Sequence, residues 1–221
     1  MVSVVMITKN EEMAVSSVVQ DIKKYAPEAE IIIVDSSADR TPEIAESMGA
    51  RVIRQFPPQG YGRAMDRALR AASGDAIITL DCDNTYPAEM IPILARAILE
   101  EGYDLVDGSR LGRKPKAMPW LNYLANRGFA MLASILFFRK ITDLHSGMRA
   151  YKRSLVRNLN YDPGGPALPV ELLLKPLRLG YKIKFIFIEY RDRLGTSTMQ
   201  PLGSAWWTLR RILAARFRGC R

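Results

Sequence analysis

Ala76-Ile-Ile-Thr-Leu-Asp-Cys-Asp-Asn84 is the stretch on which the reading of the whole chain turns. Ala76 to Leu80 is a short apolar run with two β-branched isoleucines. Gly74 precedes it, and Pro87 follows the carboxylates. That pattern predicts a buried strand ending abruptly in acid. If the chain turns there, Asp81 and Asp83 converge on one ion. Two hard carboxylates at the carboxyl end of a strand suit Mg²⁺ or Mn²⁺, with phosphate oxygens completing the shell. Ligands of open α/β sheets bind at that edge. A solvated acidic turn is the plainer alternative for Asp-x-Asp taken alone.

Working outward, the pattern alternates strands with helices. Val2 to Ile7 is a first strand, and Thr8-Lys-Asn-Glu-Glu12 leads into a helix reaching about Tyr25, with Thr8 or Asn10 as its cap. Ile31-Ile-Ile-Val-Asp35 is a second strand, Thr41 can cap the next helix with Pro42 at its first position, and Arg51 to Ile53 is a third strand. Such alternation predicts a mostly parallel sheet covered by helices on both faces. The Gly-x-Gly-x-x-Gly turn of a dinucleotide-binding fold is absent after the first strand. Pro57 to Gly62 is a turn-rich loop before a helix from about Arg63 to Ala72. After the central strand come a helix from Tyr86 to about Glu101 and a strand from Asp104 to Gly108. Arg110 sits just past that strand, where a guanidinium can pair with phosphate.

The second half is sparser. Trp120 to Phe138 is a long apolar helical stretch with Arg127 isolated in it. Asp143, His145, Ser146 and Arg149 form a dense polar cluster around Gly147. His145 is the sole histidine and has no companion ligands, so hydrogen bonding suits it better than metal binding. A helix over Val170 to Leu179 carries Glu171 near its start. Lys182 to Tyr190 alternates as a late strand, and Arg191 to Thr198 is a polar loop able to fold over a ligand. Leu202 to Phe217 is a terminal helix with Trp206, Leu209, Ile212, Leu213 and Phe217 on one face and Arg211 and Arg218 across from it. Basic residues beside Trp and Phe suit either a membrane interface or a helix docked on its own core.

Composition narrows the partners. The chain has 221 residues, enough for one sizeable core, and its net charge of +9 favours polyanions: nucleic acid, anionic lipid or phosphorylated substrates. After Asp192 there are no acids and six arginines (193, 210, 211, 216, 218 and 221), so the excess is local. Cys82 and Cys220 make no disulfide framework, which points to a reducing compartment. No signal peptide is expected ahead of the first strand, and no apolar run approaches the ~20 residues a membrane span requires.

The ordered set of motifs resembles family 2 glycosyltransferases, in particular dolichyl-phosphate mannose synthases and bacterial polyprenyl-phosphate glycosyltransferases. The matching pieces are Thr8 to Glu12, Val34 to Thr41, Gly60-Tyr-Gly62, Asp81-Cys-Asp83, Gly108-Ser-Arg110, Asp143 to Arg149, Glu171 and Asp192 to Ser197. The resemblance implies a glycosyltransferase A-type fold over residues 1–200, followed by a basic amphipathic helix over 201–221. It implies that Thr8, Asn10, Glu11, Val34, Asp35, Ser36 and Cys82 hold a nucleotide-sugar donor. Asp81 and Asp83 would bind Mg²⁺ or Mn²⁺ and the diphosphate, Arg110 and Arg193 would face phosphate, and Arg127 the acceptor phosphate. Asp143 and Arg149 complete the implied catalytic set. Three departures stand out: no proline precedes Thr8, Asp35-Ser36-Ser37 replaces the usual Asp-Asp-Gly-Ser, and Thr198 stands where a lysine is common. The absence of Gln-x-x-Arg-Trp favours transfer of a single sugar.

The expected activity is inverting transfer of one sugar from a UDP- or GDP-sugar to a polyprenyl (dolichyl or undecaprenyl) phosphate, at the cytoplasmic face of a membrane or beside a membrane subunit. A polyprenyl phosphate is already ionised, so no strong base is needed; charge on the leaving diphosphate must be offset and the reactants held in line. A soluble or glycan hydroxyl acceptor would instead need a base, with Asp143 or Glu171 as candidates. A nucleotidyltransferase or a non-catalytic basic binding module are the remaining alternatives; no nucleic-acid motif is present.

Overall fold

The computed structural model describes residues 1–195 and 201–217. Thr196, Ser197 and Thr198 of the expected closing loop, and Arg218, Cys220 and Arg221, lie outside the described residues. Among the described residues seven strands form one sheet: β1 (Val2–Thr8), β2 (Glu30–Asp35), β3 (Arg51–Arg54), β4 (Ala76–Thr79), β5 (Leu105–Ser109), β6 (Arg149–Lys152) and β7 (Ile183–Phe187). Their spatial order is β3-β2-β1-β4-β6-β5-β7. All pairings are parallel except those of β6, which runs antiparallel to both β4 and β5. Eight α-helices accompany it among the described residues: α1 (Val15–Tyr25), α2 (Thr41–Ser47), α3 (Tyr61–Ala71), α4 (Ile91–Leu99), α5 (Trp120–Phe137), α6 (Arg153–Asn158), α7 (Leu168–Arg178) and α8 (Pro201–Phe217).

Strand alternation builds two apolar layers, because successive side chains leave opposite faces of a sheet. Val4, Met6, Ile31, Ile33, Ala76 and Ile78 face α1, α2 and α4. Val5, Ile32, Val34 and Ile77 face α3, α6 and α7, with Ala133 of α5 and Ile212 and Ala215 of α8 in the same layer. The strand order reverses at β1, whose neighbours are β2 and β4, and the carboxyl ends of those strands open a crevice where such sheets take ligands.

Several expectations need correction. The segment after β1 is not a capped helix start: α1 begins at Val15 with no side-chain cap, while Asn10 takes a left-handed φ of 59° and turns toward β2. Thr41 lies inside α2; the Asp39 carboxylate accepts its backbone N–H at 3.0 Å. The helix after the central strand starts only at Ile91, behind a 3-10 turn at Ala88–Met90. Arg149–Lys152, expected as part of a polar cluster, is a strand. The face of α8 is also different. Arg211 is buried together with Thr208, Ile212 and Ala215, whereas Trp206, Leu213 and Phe217 are exposed.

Candidate active site

The site is assembled from loops that leave the carboxyl ends of β1, β2 and β4 and from the lead-in to β6. At the first two, Asp35 is a fully buried brace. Its Oδ1 accepts the hydroxyls of Thr8 (2.7 Å) and Ser37 (2.6 Å). Its Oδ2 accepts the Ser37 amide at 3.0 Å and pairs with Arg54. Asn10 links the same loops, its amide donating to Ser37 Oγ (2.8 Å) and its Oδ1 accepting from Ala38 N (2.9 Å). Ser36 donates its amide to Thr8 O and its hydroxyl to Gln55 O, both at 2.9 Å. Thr8, Asn10, Val34, Asp35 and Ser36 therefore stand together. Asp35 shapes the rim through bonds that already occupy both of its oxygens, and Val34 is wholly buried.

The chain bends straight after β4. Cys82 turns into the apolar layer beneath, so of this expected donor residue only the backbone is left to face a ligand. Burial, first, and the surrounding carboxylates push its thiol far up, keeping it protonated. The flanking aspartates stay out of the core packing. Asp83 Oδ1 accepts the amide (3.1 Å) and hydroxyl (2.6 Å) of Thr85, and Oδ2 meets Arg193 Nη1 at 3.0 Å. Arg193 reaches on with Nη2 to Glu11 Oε1 at 2.7 Å. Among the described residues no hydrogen bond ends on the Asp81 carboxylate. Burial and then the Asp83 charge push its pKa up to about 7, against the pull of Arg110 and Arg193. Glu11 is raised to about 7 as well, by burial first and then by Asp83, with Arg193 opposing.

Glu11, Asp81 and Asp83 thus crowd their charge into a poorly solvated corner where, among the described residues, Arg193 is the cation paired with Glu11 and Asp83 and Arg110 adds its charge toward Asp81. A divalent cation relieves that imbalance, and oxygen donors suit Mg²⁺ or Mn²⁺. Among the described residues there is no group of three His, Cys, Asp or Glu side chains arranged for a metal ion. A hard ion held by Asp81 and Asp83 would complete its shell from phosphate oxygens and water.

The lead-in to β6 closes the corner. Thr79 Oγ1 donates to Gly147 O and Gly147 N donates to the Tyr86 hydroxyl, each at 2.7 Å. A Cβ on Gly147 would lie 2.7 Å from Asp81 Oδ2, so only glycine allows this approach. Asp143, fully buried, receives Arg110 in a fork, Nε to Oδ2 at 2.8 Å and Nη2 to Oδ1 at 3.0 Å. Burial pushes the Asp143 carboxyl up, but the charge and hydrogen bonds of Arg110 outweigh it and hold it below the ordinary carboxylate range. Arg110 also lies over the Tyr190 ring, 5.3 Å from its centroid.

Two expected residues stand elsewhere. Arg149 is fully buried, bonded to Asp107 Oδ1 (2.5 Å), Leu144 O (3.1 Å) and Pro169 O, so it braces the interior and does not face the crevice. Arg127 stands on the exposed side of α5, hydrogen-bonded to Leu111 O at 3.5 Å. The sequence does not mark Tyr61, Asp107 or Arg211 for the site. Burial, first, and then the Asp81 charge drive the Tyr61 phenol pKa up. Its position between Gly60 and Gly62 was the available signal.

A family model for glycosyl transferase family 2 matches residues 3–159, well over half of the sequence. The chain belongs to glycosyl transferase family 2. This family 2 enzyme is 44% identical over 200 residues to a dolichyl-phosphate hexose transferase of Haloferax volcanii, covering 90% of this chain and 86% of the relative. It is 34% identical over 155 residues to a dolichol-phosphate mannosyltransferase of Pyrococcus furiosus, covering 66% of this chain and 44% of that one. Among solved structures it resembles glucosyl-3-phosphoglycerate synthase of Mycobacterium tuberculosis, crystallised with Mn²⁺, UDP and glucosyl-3-phosphoglycerate. The TM-score is 0.78 at 26% identity, over 97% of this chain and 79% of that one. The fold is the glycosyltransferase A type that the motifs implied. Membership in a glycosyltransferase family sets aside the nucleotidyltransferase and basic-module readings.

Proposed function

We propose that this glycosyltransferase moves one sugar from a nucleoside-diphosphate sugar to a polyprenyl phosphate, with inversion, at the cytoplasmic surface of a membrane. One observation carries the choice of acceptor: both carboxylates that a hydroxyl acceptor could use as a base are already engaged. Asp143 is forked by Arg110. Glu171 pairs with Arg211, meets Lys175 Nζ at 2.8 Å and accepts the Asp162 amide at 3.3 Å. An ionised phosphate acceptor needs neither. Its oxygen forms the bond to the anomeric carbon while the bond to the diphosphate oxygen breaks, and the nucleoside diphosphate leaves with the electron pair. Arg193 and Arg110 are suited to pair with phosphate oxygens in this arrangement. Mg²⁺ or Mn²⁺ held by Asp81 and Asp83 would supply further charge neutralisation for the departing diphosphate. On the donor side Thr8, Asn10, Glu11, Ser36 and the Cys82 backbone would face the nucleotide sugar, with Val34 and Asp35 supporting them from beneath.

A second observation supports a lipid acceptor. Trp120, Leu121, Leu124, Met131 and Ile135 of α5 are exposed at helical spacing, as are Trp206, Leu213 and Phe217 of α8. Between Asp107 and Asp143 there is no acid, and there are seven Lys or Arg residues, Arg127 among them. Apolar stripes with Trp and flanking cations suit an anionic bilayer surface. No described helix is long and apolar enough to cross a membrane. In this reading residues 1–200 carry the chemistry and residues 201–221 add a surface helix.

The test is nucleoside-diphosphate release from UDP-, GDP- and dTDP-sugars with Mn²⁺, with and without a short polyprenyl phosphate, alongside flotation with anionic liposomes. Release that requires the lipid is expected. Release independent of it, with no liposome binding, would move the acceptor to a soluble hydroxyl compound.

A further inference from the structure

The terminal helix α8 has a second face, turned inward, that the membrane reading does not use. Three neighbouring residues on it grip two loops of the site. Arg211, only 5% exposed, sends Nη2 to the carbonyls of Asp162 (2.8 Å) and Gly164 and Nη1 to Glu171. One turn earlier, the Trp207 ring lies against Gly165, so closely that a Cβ there would sit 2.9 Å from it. Between them, Thr208 Oγ1 donates to Ser204 O (2.8 Å) and so accepts from His145 Nε2 at 2.7 Å. His145 is joined by its amide to Asp143 Oδ1 at 2.9 Å.

A Cβ on Gly62 would collide with Pro163 O and lie 2.7 Å from Gly165 O, so the turn packs on the first residues of α3. An unbroken series of contacts therefore runs from α8 through residues 162–165 to the start of α3. Another runs through His145 to the Asp143–Arg110 fork.

We propose that Trp207 and Arg211 are positioning residues of the active site: the inward face of α8 sets the 162–165 turn and, through it, the Gly60-Tyr61-Gly62 turn that opens α3, while Thr208 and His145 tie the same helix to the Asp143–Arg110 fork. This rests on the carboxylate corner being the reaction site. Because the outward face of the same helix carries Trp206, Leu213 and Phe217, lipid engagement and site geometry share one rigid element.

The experiment is amide hydrogen exchange of the full chain over residues 59–66 and 160–172 in Arg211→Gln, Arg211→Lys and Trp207→Leu, with thermal unfolding and donor kinetics on the same samples. In Arg211→Gln and Trp207→Leu, exchange in both stretches should rise by roughly tenfold or more while strands β1 and β4 keep wild-type protection. For the nucleotide sugar giving the highest release in the panel above, kcat should fall by roughly tenfold or more with donor KM unchanged. Arg211→Lys should recover part of that loss, since an ammonium reaches Glu171 without spanning both carbonyls. Leu213→Ser, on the outward face, should leave exchange in both stretches as in wild type. Wild-type exchange over residues 59–66 in both Arg211→Gln and Trp207→Leu would overturn the proposal. Exchange decides alone if the panel yields no donor, which keeps failure of the assigned reaction distinct from failure of the clamp. Trp207→Leu leaves the Arg211–Glu171 pair intact, so it serves if Arg211→Gln does not fold.

Discussion

Replacing Gly147 with alanine tests the carboxylate corner with a single methyl group. The added Cβ would stand 2.7 Å from Asp81 Oδ2 and 3.0 Å from its Oδ1 and Cγ, where ordinary contacts begin at 3.4 Å. The carboxylate must therefore retreat by about 0.7 Å, the difference between those two values. Its side chain can rotate, and Gly147 has no left-handed φ to lose, so the cost to folding should stay near the low end of the 1–3 kcal/mol typical of overpacking, about 1 kcal/mol. The cost to turnover should be larger. A displacement approaching 1 Å at a reacting site lowers rates by up to about 100-fold, so a loss of roughly 10- to 100-fold is expected here. Metal-dependent release from the preferred nucleotide sugar, titrated with Mn²⁺, should show the loss together with a weaker apparent Mn²⁺ affinity. Thermal unfolding should show a shift of a few degrees at most. Wild-type turnover and Mn²⁺ dependence in Gly147→Ala would refute the argument that Asp81, held in this position, serves the reaction.

Two further outcomes follow from the buried charges. Arg149→Met should destabilise the protein by about 3–5 kcal/mol in urea unfolding, because it leaves the fully buried Asp107 carboxylate without its cation; a loss under about 1 kcal/mol would show that water reaches Asp107. Stability should also fall between about pH 6.5 and pH 4 through His145. Burial holds its imidazole down at about 4, against the pull of Asp143, with the charges of Arg110 and Arg149 acting in the same direction as burial. The unfolded chain binds that proton first, so the contribution is complete above about pH 6.5 and lost as pH falls toward 4, on the order of 3 kcal/mol in all. His145→Gln should flatten that part of the pH–stability curve, and an unchanged slope would count against a neutral buried imidazole.

The parts of the fold that were legible in the sequence are those whose information is local. β1, β2 and β4 are apolar runs that end in polar residues, and the turn after β4 that brings Asp81 and Asp83 out beside each other follows from that abrupt change. What escaped depends on distant partners. β6 is four residues, Arg-Ala-Tyr-Lys, with a charge at each end, and it is a strand because β4 and β5 flank it. Arg149 looks like a member of the catalytic set until Asp107, 42 residues away, is seen to claim it. Arg211 looks like the polar side of an amphipathic helix, yet Glu171 and two loop carbonyls draw it inward. Asn10 resembles a helix cap, but Ser37 and Ala38 of the neighbouring loop satisfy it instead.

The place of β7 at the rim of the sheet has a consequence for how firmly one side of the crevice is held. Among the described residues β7 pairs only with β5, so one of its edges carries no ladder there, and all five of its side chains are at least partly exposed. Arg193 reaches Asp83 and Glu11 from the segment that follows this strand. β6, by contrast, is paired on both sides. Sub-global unfolding of the rim should therefore cost less than unfolding the interior, and the cation that meets Asp83 and Glu11 is carried by the part of the site whose anchorage to the sheet is a single strand.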